Sequence, residues 1–238
     1  MEIRYESDRA GRDFVFDNDW DVCIPVSYTQ LGETLTVSAF PEVLPALRRQ
    51  LNRPDAGDPF ARSALTEMWR LLAPYLAEWG YRDDRFRAGW GHILRIDPET
   101  PCQKPKNTDS RPLTAEDESH NRTTYDFAAT AACGRLMYGI ERDGGIVSCA
   151  VSHCAPGECG PVVEVGVETI PAARGQGMAT ANLRALSAEL LSRGYTVEYR
   201  CRHSNRASLS VARAAGFLPV GRFYHYVTRR VPDADRAK

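Results

Sequence analysis

The stretch from residue 162 to residue 201 restricts the possible folds most. Residues 162–169 alternate β-branched and polar positions and read as a strand, and Pro171 follows it. Arg174-Gly175-Gln176-Gly177 then opens a helical run over 177–193, which Gly194 closes at the position where helices favour glycine. Residues 196–201 form a second strand, and a helix over 207–215 closed by Gly216 leads into a long final strand over 217–228. A β-α-β-α-β tail of this kind requires a sheet with helices packed against it.

The turn between strand and helix is chemically informative. Glycines let a ligand approach the backbone, several N–H groups converge, and the helix N-terminus adds its partial positive charge, so residues 174–179 make an anion site. The spacing is neither G-x-G-x-x-G nor G-x-x-x-x-G-K-[ST], and no acidic residue stands where a ribose clamp belongs, which disfavours a dinucleotide or P-loop site. Two glycines before a helix are equally compatible with plain turn chemistry.

Upstream the pattern is mixed. Residues 22–28 and 34–38 read as a hairpin across Gln30-Leu31-Gly32. Residues 41–51 and 59–81 have helical spacing, with Leu65, Met68, Trp69, Leu72, Leu76 and Trp79 making an apolar stripe. Residues 91–96 suit a strand. Residues 97–113 carry Pro98, Pro101, Pro105 and Pro112 among polar side chains and read as a linker or loop. Beyond it, residues 113–121 suit a short helix, and 136–142 with 145–153 form a hairpin on the two-residue turn Asp143-Gly144. The expected organisation is an α+β segment over 1–104, a main domain over 105–230 and a tail over 231–238.

The chain resembles the GNAT superfamily of acyl-CoA-dependent N-acyltransferases. The signature [Arg/Gln]-x-x-Gly-x-[Gly/Ala] is met by Arg174, Gly177 and Ala179, with Pro171 three residues before the arginine and Thr169 where valine is common. A second block is met by Asn205, Ala207, Ser208, Gly216 and Phe217. The likeness is strong over 134–228 and does not extend to residues 1–100. It implies an α+β fold with a mixed central sheet, splayed strands and flanking helices, to which the N-terminal α+β segment is an extension that caps or completes the acceptor pocket. It also implies acetyl transfer from acetyl-CoA to an amine by direct attack in a ternary complex. The backbone at Arg174, Gly175, Gln176, Gly177, Met178, Ala179 and Thr180 would hold the pyrophosphate, and the strand at Val167 and Thr169 would pair with pantetheine. Asn205 and Ser208 would complete the cofactor site. Glu164, where many members place a strand glutamate, is the expected base; Glu168, on the same face by the period-2 rule, is second. Salt bridges to arginines are the structural alternative for both. Many members carry a tyrosine seven residues after the asparagine to protonate the leaving thiolate. Here that position is Ala212, which leaves Tyr224 and Tyr226 as substitutes, or no acid at all.

Composition sets the remaining bounds. With 30 basic and 31 acidic residues the chain is neither a polycation nor an acidic solvating chain, although only Lys104, Lys106 and Lys238 are not arginine among the basic ones. Residues 1–60 hold 11 acids against 6 arginines, while 196–230 hold seven arginines and the single acid Glu198. That basic stretch would attract the phosphates of CoA, or alternatively a nucleic-acid backbone, which makes a nucleic-acid-associated acyltransferase a rival reading; no RNA-binding signature accompanies it. A non-catalytic acyl-CoA sensor is the other rival, motivated by Ala212. No membrane span or apolar leader is legible, and seven cysteines without framework spacing suit reduced thiols in the cytoplasm. Cys149, Cys154 and Cys159 with His153 lack the knuckle spacing of a zinc site, so no metal is expected. The expected partner is a small-molecule or peptide amine acceptor, with no membrane and no nucleic acid, and the expected state is a monomer or homodimer.

Overall fold

The computed structural model describes residues 2–7, 14–15, 21–78, 87–96, 109–158 and 160–229. They divide into two compact units, one of residues 1–91 with 221–238 and one of residues 92–220.

In the first unit, the alternation of residues 21–31 and 34–39 produces β3 (Asp21–Leu31) and β4 (Thr34–Ala39). They pair antiparallel with Leu31 opposite Thr34, so the turn is Gly32-Glu33, two residues beyond the start expected from sequence. Gly32 has φ +55°, the left-handed conformation that such a turn requires. β1 (Glu2–Ser7) runs parallel to β4, β2 (Phe14–Val15) pairs with β3, and the end of β11 (Phe217–Arg229) pairs antiparallel with β3. Helices α1 (Leu44–Leu51) and α2 (Arg62–Glu78) follow from the expected helical runs. Met68, Leu72 and Leu76 of α2 are buried against Val26, Tyr28, Val37 and Leu47, whereas Trp69 of the same stripe is exposed. Trp79 lies outside the described residues.

The second unit takes its order from the β-α-β-α-β tail. β9 (Val162–Thr169), α4 (Met178–Ser192), β10 (Thr196–Arg202), α5 (Arg206–Ala214) and the start of β11 stand where the punctuation places them. β7 (Met137–Arg142) and β8 (Gly145–Ser152) form the expected hairpin, and Asp143 adopts φ 50° in its turn. The strand order is β5-β10-β9-β8-β7-β6, with β5 spanning Arg87–Ile96 and β6 spanning Arg111–Pro112. Antiparallel pairing on one side of β9 and parallel pairing with β10 on the other make this a mixed sheet.

Three local details depart from expectation. Arg111-Pro112 pairs with Tyr138 and Gly139 at the sheet edge although the proline-rich segment reads as loop, since an edge position needs no N–H from Pro112. The short helix after residue 113 is a 3-10 turn over Ala115–His120, held by a capping box in which Thr114 and Asp117 exchange hydrogen bonds. Helix α3 (Phe127–Ala132), capped by the Asp126 carboxylate on the Ala129 N–H, has no counterpart in the sequence reading because six residues are too few to show a period.

One face of this sheet packs on α4 and α5: Val163, Val165, Val197, Tyr199 and Cys201 meet Leu183, Leu186, Leu190, Ala212 and Phe217. Fully burying one leucine contributes about 1.5–3 kcal/mol, so the three leucines of α4 anchor that helix. The other face packs Cys149 and Val151 against Leu113, Phe127 and Ile146. The odd residues of β9 are therefore core, and its even residues face the other way.

Candidate active site

β9 and β10 pair for only three residues each. The register couples Thr196 to Val162, Val197 to Val163 and Glu198 to Glu164, and among the described residues no pairing between the two strands continues beyond. The strands splay from that point. On its other edge β9 stays paired with β8 out to Thr169, opposite Ser148. The His153 N–H donates to the Glu164 carbonyl at 2.8 Å and the Ile170 N–H to Val147 at 3.0 Å, so the backbone groups of even-numbered β9 residues point to β8. By alternation those of Val165, Val167 and Thr169 point into the opening. The Thr169 carbonyl there accepts from Arg174 Nε at 3.1 Å, and its hydroxyl lies 2.7 Å from Ser148 Oγ.

Below the opening stands the N-terminus of α4. Gly175 (φ +80°) and Gly177 (φ +76°) both take left-handed conformations, and Gly177 caps the helix with no side-chain hydrogen bond. No acidic residue lies in the first turn, and residues 174–177 are exposed. The result is a set of N–H groups at the positive end of a 15-residue dipole, without a carboxylate of the protein's own to neutralise it.

Asn205 and Ser208 have local partners. Asn205 caps α5 by accepting from the Ser208 N–H at 3.1 Å, and Ser208 Oγ lies 2.6 Å from the Tyr199 hydroxyl. Ala212, one helical turn beyond Ser208, is fully buried in the core. Tyr224 belongs to the first unit, buried and stacked on Tyr226 at 5.1 Å, and burial raises its pKa. Tyr226 is buried beside it, and burial raises its pKa too.

The two β9 carboxylates sit in a polar cluster. Glu164 Oε1 lies 3.4 Å from His153 Nδ1, and Oε2 lies 3.5 Å from Arg200 Nε. Arg200 also contacts Glu198 at 2.7 Å, and Glu198, only 3 % exposed, accepts from Arg95 at 2.9 Å. This chain of alternating charge makes the buried Glu198 tolerable. Glu168 Oε2 accepts from the Thr124 N–H at 3.0 Å and the Thr124 hydroxyl at 2.7 Å. Between the two glutamates Gly166 makes a notch that His153 and Tyr125 fill: a Cβ there would stand 2.7 Å from His153 Nε2 and 2.7 Å from the Tyr125 hydroxyl. Burial, and more weakly the neighbouring Cys149 and Glu168, raise the Tyr125 pKa, so the phenol is neutral.

Glu164 and Glu168 thus share the even face of β9, four residues apart along the strand and each with its own partners, and residues 167–169 lie beyond the last pairing with β10. His153, Tyr125, Thr124 and Arg200 are additions. A glycine between two same-face glutamates was the signal for a notch, but nothing in the sequence says which loop covers it. Cys149 and Cys154 are buried and form no disulfide, and Cys159 lies outside the described residues.

A family profile described as GNAT acetyltransferase matches residues 93–226, more than half of the chain. The chain belongs to this family. A search of curated proteins finds no match. Among solved structures, the GNAT chain resembles a GCN5-related N-acetyltransferase-like protein from Streptococcus suis at TM-score 0.50 and 19 % identity, covering 74 % of this chain and 78 % of that one. A Drosophila protein aligns at TM-score 0.55 and 15 % identity over 93 % of this chain and 78 % of its own. An acetyltransferase described as putative, from the GNAT family of Novosphingobium aromaticivorans, aligns at TM-score 0.47 and 19 % identity, covering 61 % of this chain. The chain spans 66 % of that protein's length, just under two thirds. At these identities the likeness establishes the GNAT fold alone. Among the described residues no helix is long and apolar enough to cross a membrane.

Proposed function

We propose that this GNAT chain transfers an acetyl group from acetyl-CoA to an amine in a ternary complex. The observation that carries the reading is the coincidence of the splay after Glu164 and Glu198 with the glycine-lined N-terminus of α4, which has no side-chain cap. The N–H groups of residues 174–180 suit a pyrophosphate, and the backbone edge at Val167 and Thr169, where β9 has left β10, suits the amides of pantetheine once Arg174 yields the Thr169 carbonyl. The thioester then lies in the opening, where a free strand N–H can stabilise the oxyanion of the tetrahedral intermediate. The acceptor amine approaches from the face carrying Glu164, Gly166 and Glu168, whose carboxylates attract a cationic amine.

Proton donation to the leaving group is not required of residue 212. A thiol with an ordinary pKa of about 8.5 is a good leaving group as thiolate, and Ala212 is sealed in the core. That alanine is the one observation favouring a silent acyl-CoA binder. Arg200 of the basic stretch is engaged by Glu198 and Glu164, which weakens a nucleic-acid reading.

Release of CoA thiol, followed with a panel of primary amines and N-terminal peptides, tests the proposal. Amine-dependent release is the expected result. Acetyl-CoA binding without release for any amine would leave the silent binder instead.

A further inference from the structure

The notch over Gly166 contains a third titratable group besides the two glutamates, and its geometry differs from theirs. His153 follows the last residue of β8, and its own N–H is hydrogen-bonded to the Glu164 carbonyl at 2.8 Å, which fixes the imidazole beside that glutamate. Its Nδ1 faces Glu164 Oε1 at 3.4 Å. Its Nε2 faces the other way, into the notch, within 2.7 Å of where a Cβ at Gly166 would stand. A carboxylate only accepts, so Nδ1 is the ring nitrogen that serves Glu164, which leaves Nε2 as the nitrogen for a further partner on that face. The side chain is 47 % exposed, which gives the ring an outlet to water.

We propose that His153 Nε2 is the group that takes the acceptor's proton, and that Glu164 is a positioning residue acting through it. This deepens the transferase reading and rests on it. Glu164 is flanked by the Arg200 guanidinium as well as by the imidazole, and Glu168 Oε2 is held by two Thr124 donors. Both carboxylates are therefore already engaged, whereas Nε2 is the ring nitrogen turned away from Glu164, and imidazole is a general base suited to neutral pH. The charged and titratable groups around His153 are Glu164 and Glu168 from β9, Tyr125 ahead of α3, Arg200 from β10 across Glu164, and Cys154 and Glu158 in its own turn.

The step balances as follows. The acceptor enters as an ammonium and gives one proton to Nε2; the freed nitrogen lone pair forms the N–C bond to the thioester carbonyl carbon. The C–S electron pair leaves on sulfur, and the second proton lost from nitrogen ends on that sulfur. The products are the amide and CoA thiol, and the imidazolium proton passes to water.

The test combines acetyl-CoA titration calorimetry with pH–rate profiles of the wild type, His153→Gln and Glu164→Gln. His153→Gln is expected to bind acetyl-CoA as the wild type does, to lose about 100-fold or more in kcat/KM, and to lose the acidic limb of the profile. Glu164→Gln is expected to keep that limb, with about a tenfold loss because the ring has lost the group that orients it. A limb that survives in His153→Gln and vanishes in Glu164→Gln makes Glu164 the base and overturns the inference, while the transferase reading stands. Wild-type protein that neither binds acetyl-CoA nor releases thiol overturns both. Because half of the His153 side chain is in solvent, the substitution leaves the fold intact; matched melting curves check this.

Discussion

At the scale of single residues, glycines do most to shape the candidate site. Gly177 caps α4 at φ +76°, with open space where a Cβ would go, so the constraint there is conformational rather than steric. Gly177→Ala is expected to cost about 1–2 kcal/mol in stability and to weaken acetyl-CoA binding, both readable from one melting series with and without ligand. Gly166 is constrained differently: its backbone is ordinary, but a Cβ would collide with His153 and Tyr125. Gly166→Ala is expected to lower kcat/KM for the amine by at least about tenfold, since displaced catalytic groups lose alignment, while acetyl-CoA binding persists. Unchanged turnover would show that the acceptor does not react beside these two groups.

At the scale of elements, the short pairing of β9 with β10 and the ion chain beside it define the opening. Glu198 is paired with Arg95 on β5 and with Arg200 on its own strand. Glu198→Gln removes the one buried negative charge between two guanidiniums. The expected cost is about 3 kcal/mol, the low end for breaking a buried pair because both arginines are partly in solvent. Denaturant titration measures it; a cost below about 0.5 kcal/mol would mean the network is only a surface ornament of the sheet. The elements themselves were largely legible in sequence, since β9, α4, β10, α5 and the β7–β8 hairpin each have strong periodicity with glycine or turn punctuation at their ends. The glycine-lined start of α4 was legible for the same reason, being local in sequence. What joins distant segments was not: Tyr125 and Thr124 reach the notch from a loop more than 40 residues before Glu168, and His153 carries no periodic signal. Pro112 in β6 misled because an edge strand tolerates proline.

At the scale of the whole molecule, buried weak acids set a pH limit. Burial pushes the Cys149 thiol from 9.0 up to about 12, offset a little by Thr123. Burial likewise raises Tyr199 and Tyr226. Above pH 9 the unfolded chain releases the Cys149 proton and the folded chain keeps it, so stability falls as pH rises through the window up to about 12. At the other end His92 is lowered below 6.5, first by desolvation and then by His203 and Arg213, so unfolding takes up a proton and stability falls as pH drops through that value. Melting temperatures across pH 5 to 11 should therefore peak between these limits; a rise in stability above pH 9 would contradict the burial of Cys149. The near-zero net charge of −1 conceals an uneven distribution, with the basic surplus in the stretch that includes β10 and α5. The central claim is that the opening between β9 and β10 and the end of α4 together receive acyl-CoA. Its most direct measurement is the thermal shift with acetyl-CoA beside CoA, NAD and ATP. At 100 times the dissociation constant acetyl-CoA should add about 2.7 kcal/mol, roughly 5–10 °C for a chain of this size; no shift with any acyl-CoA would contradict the account.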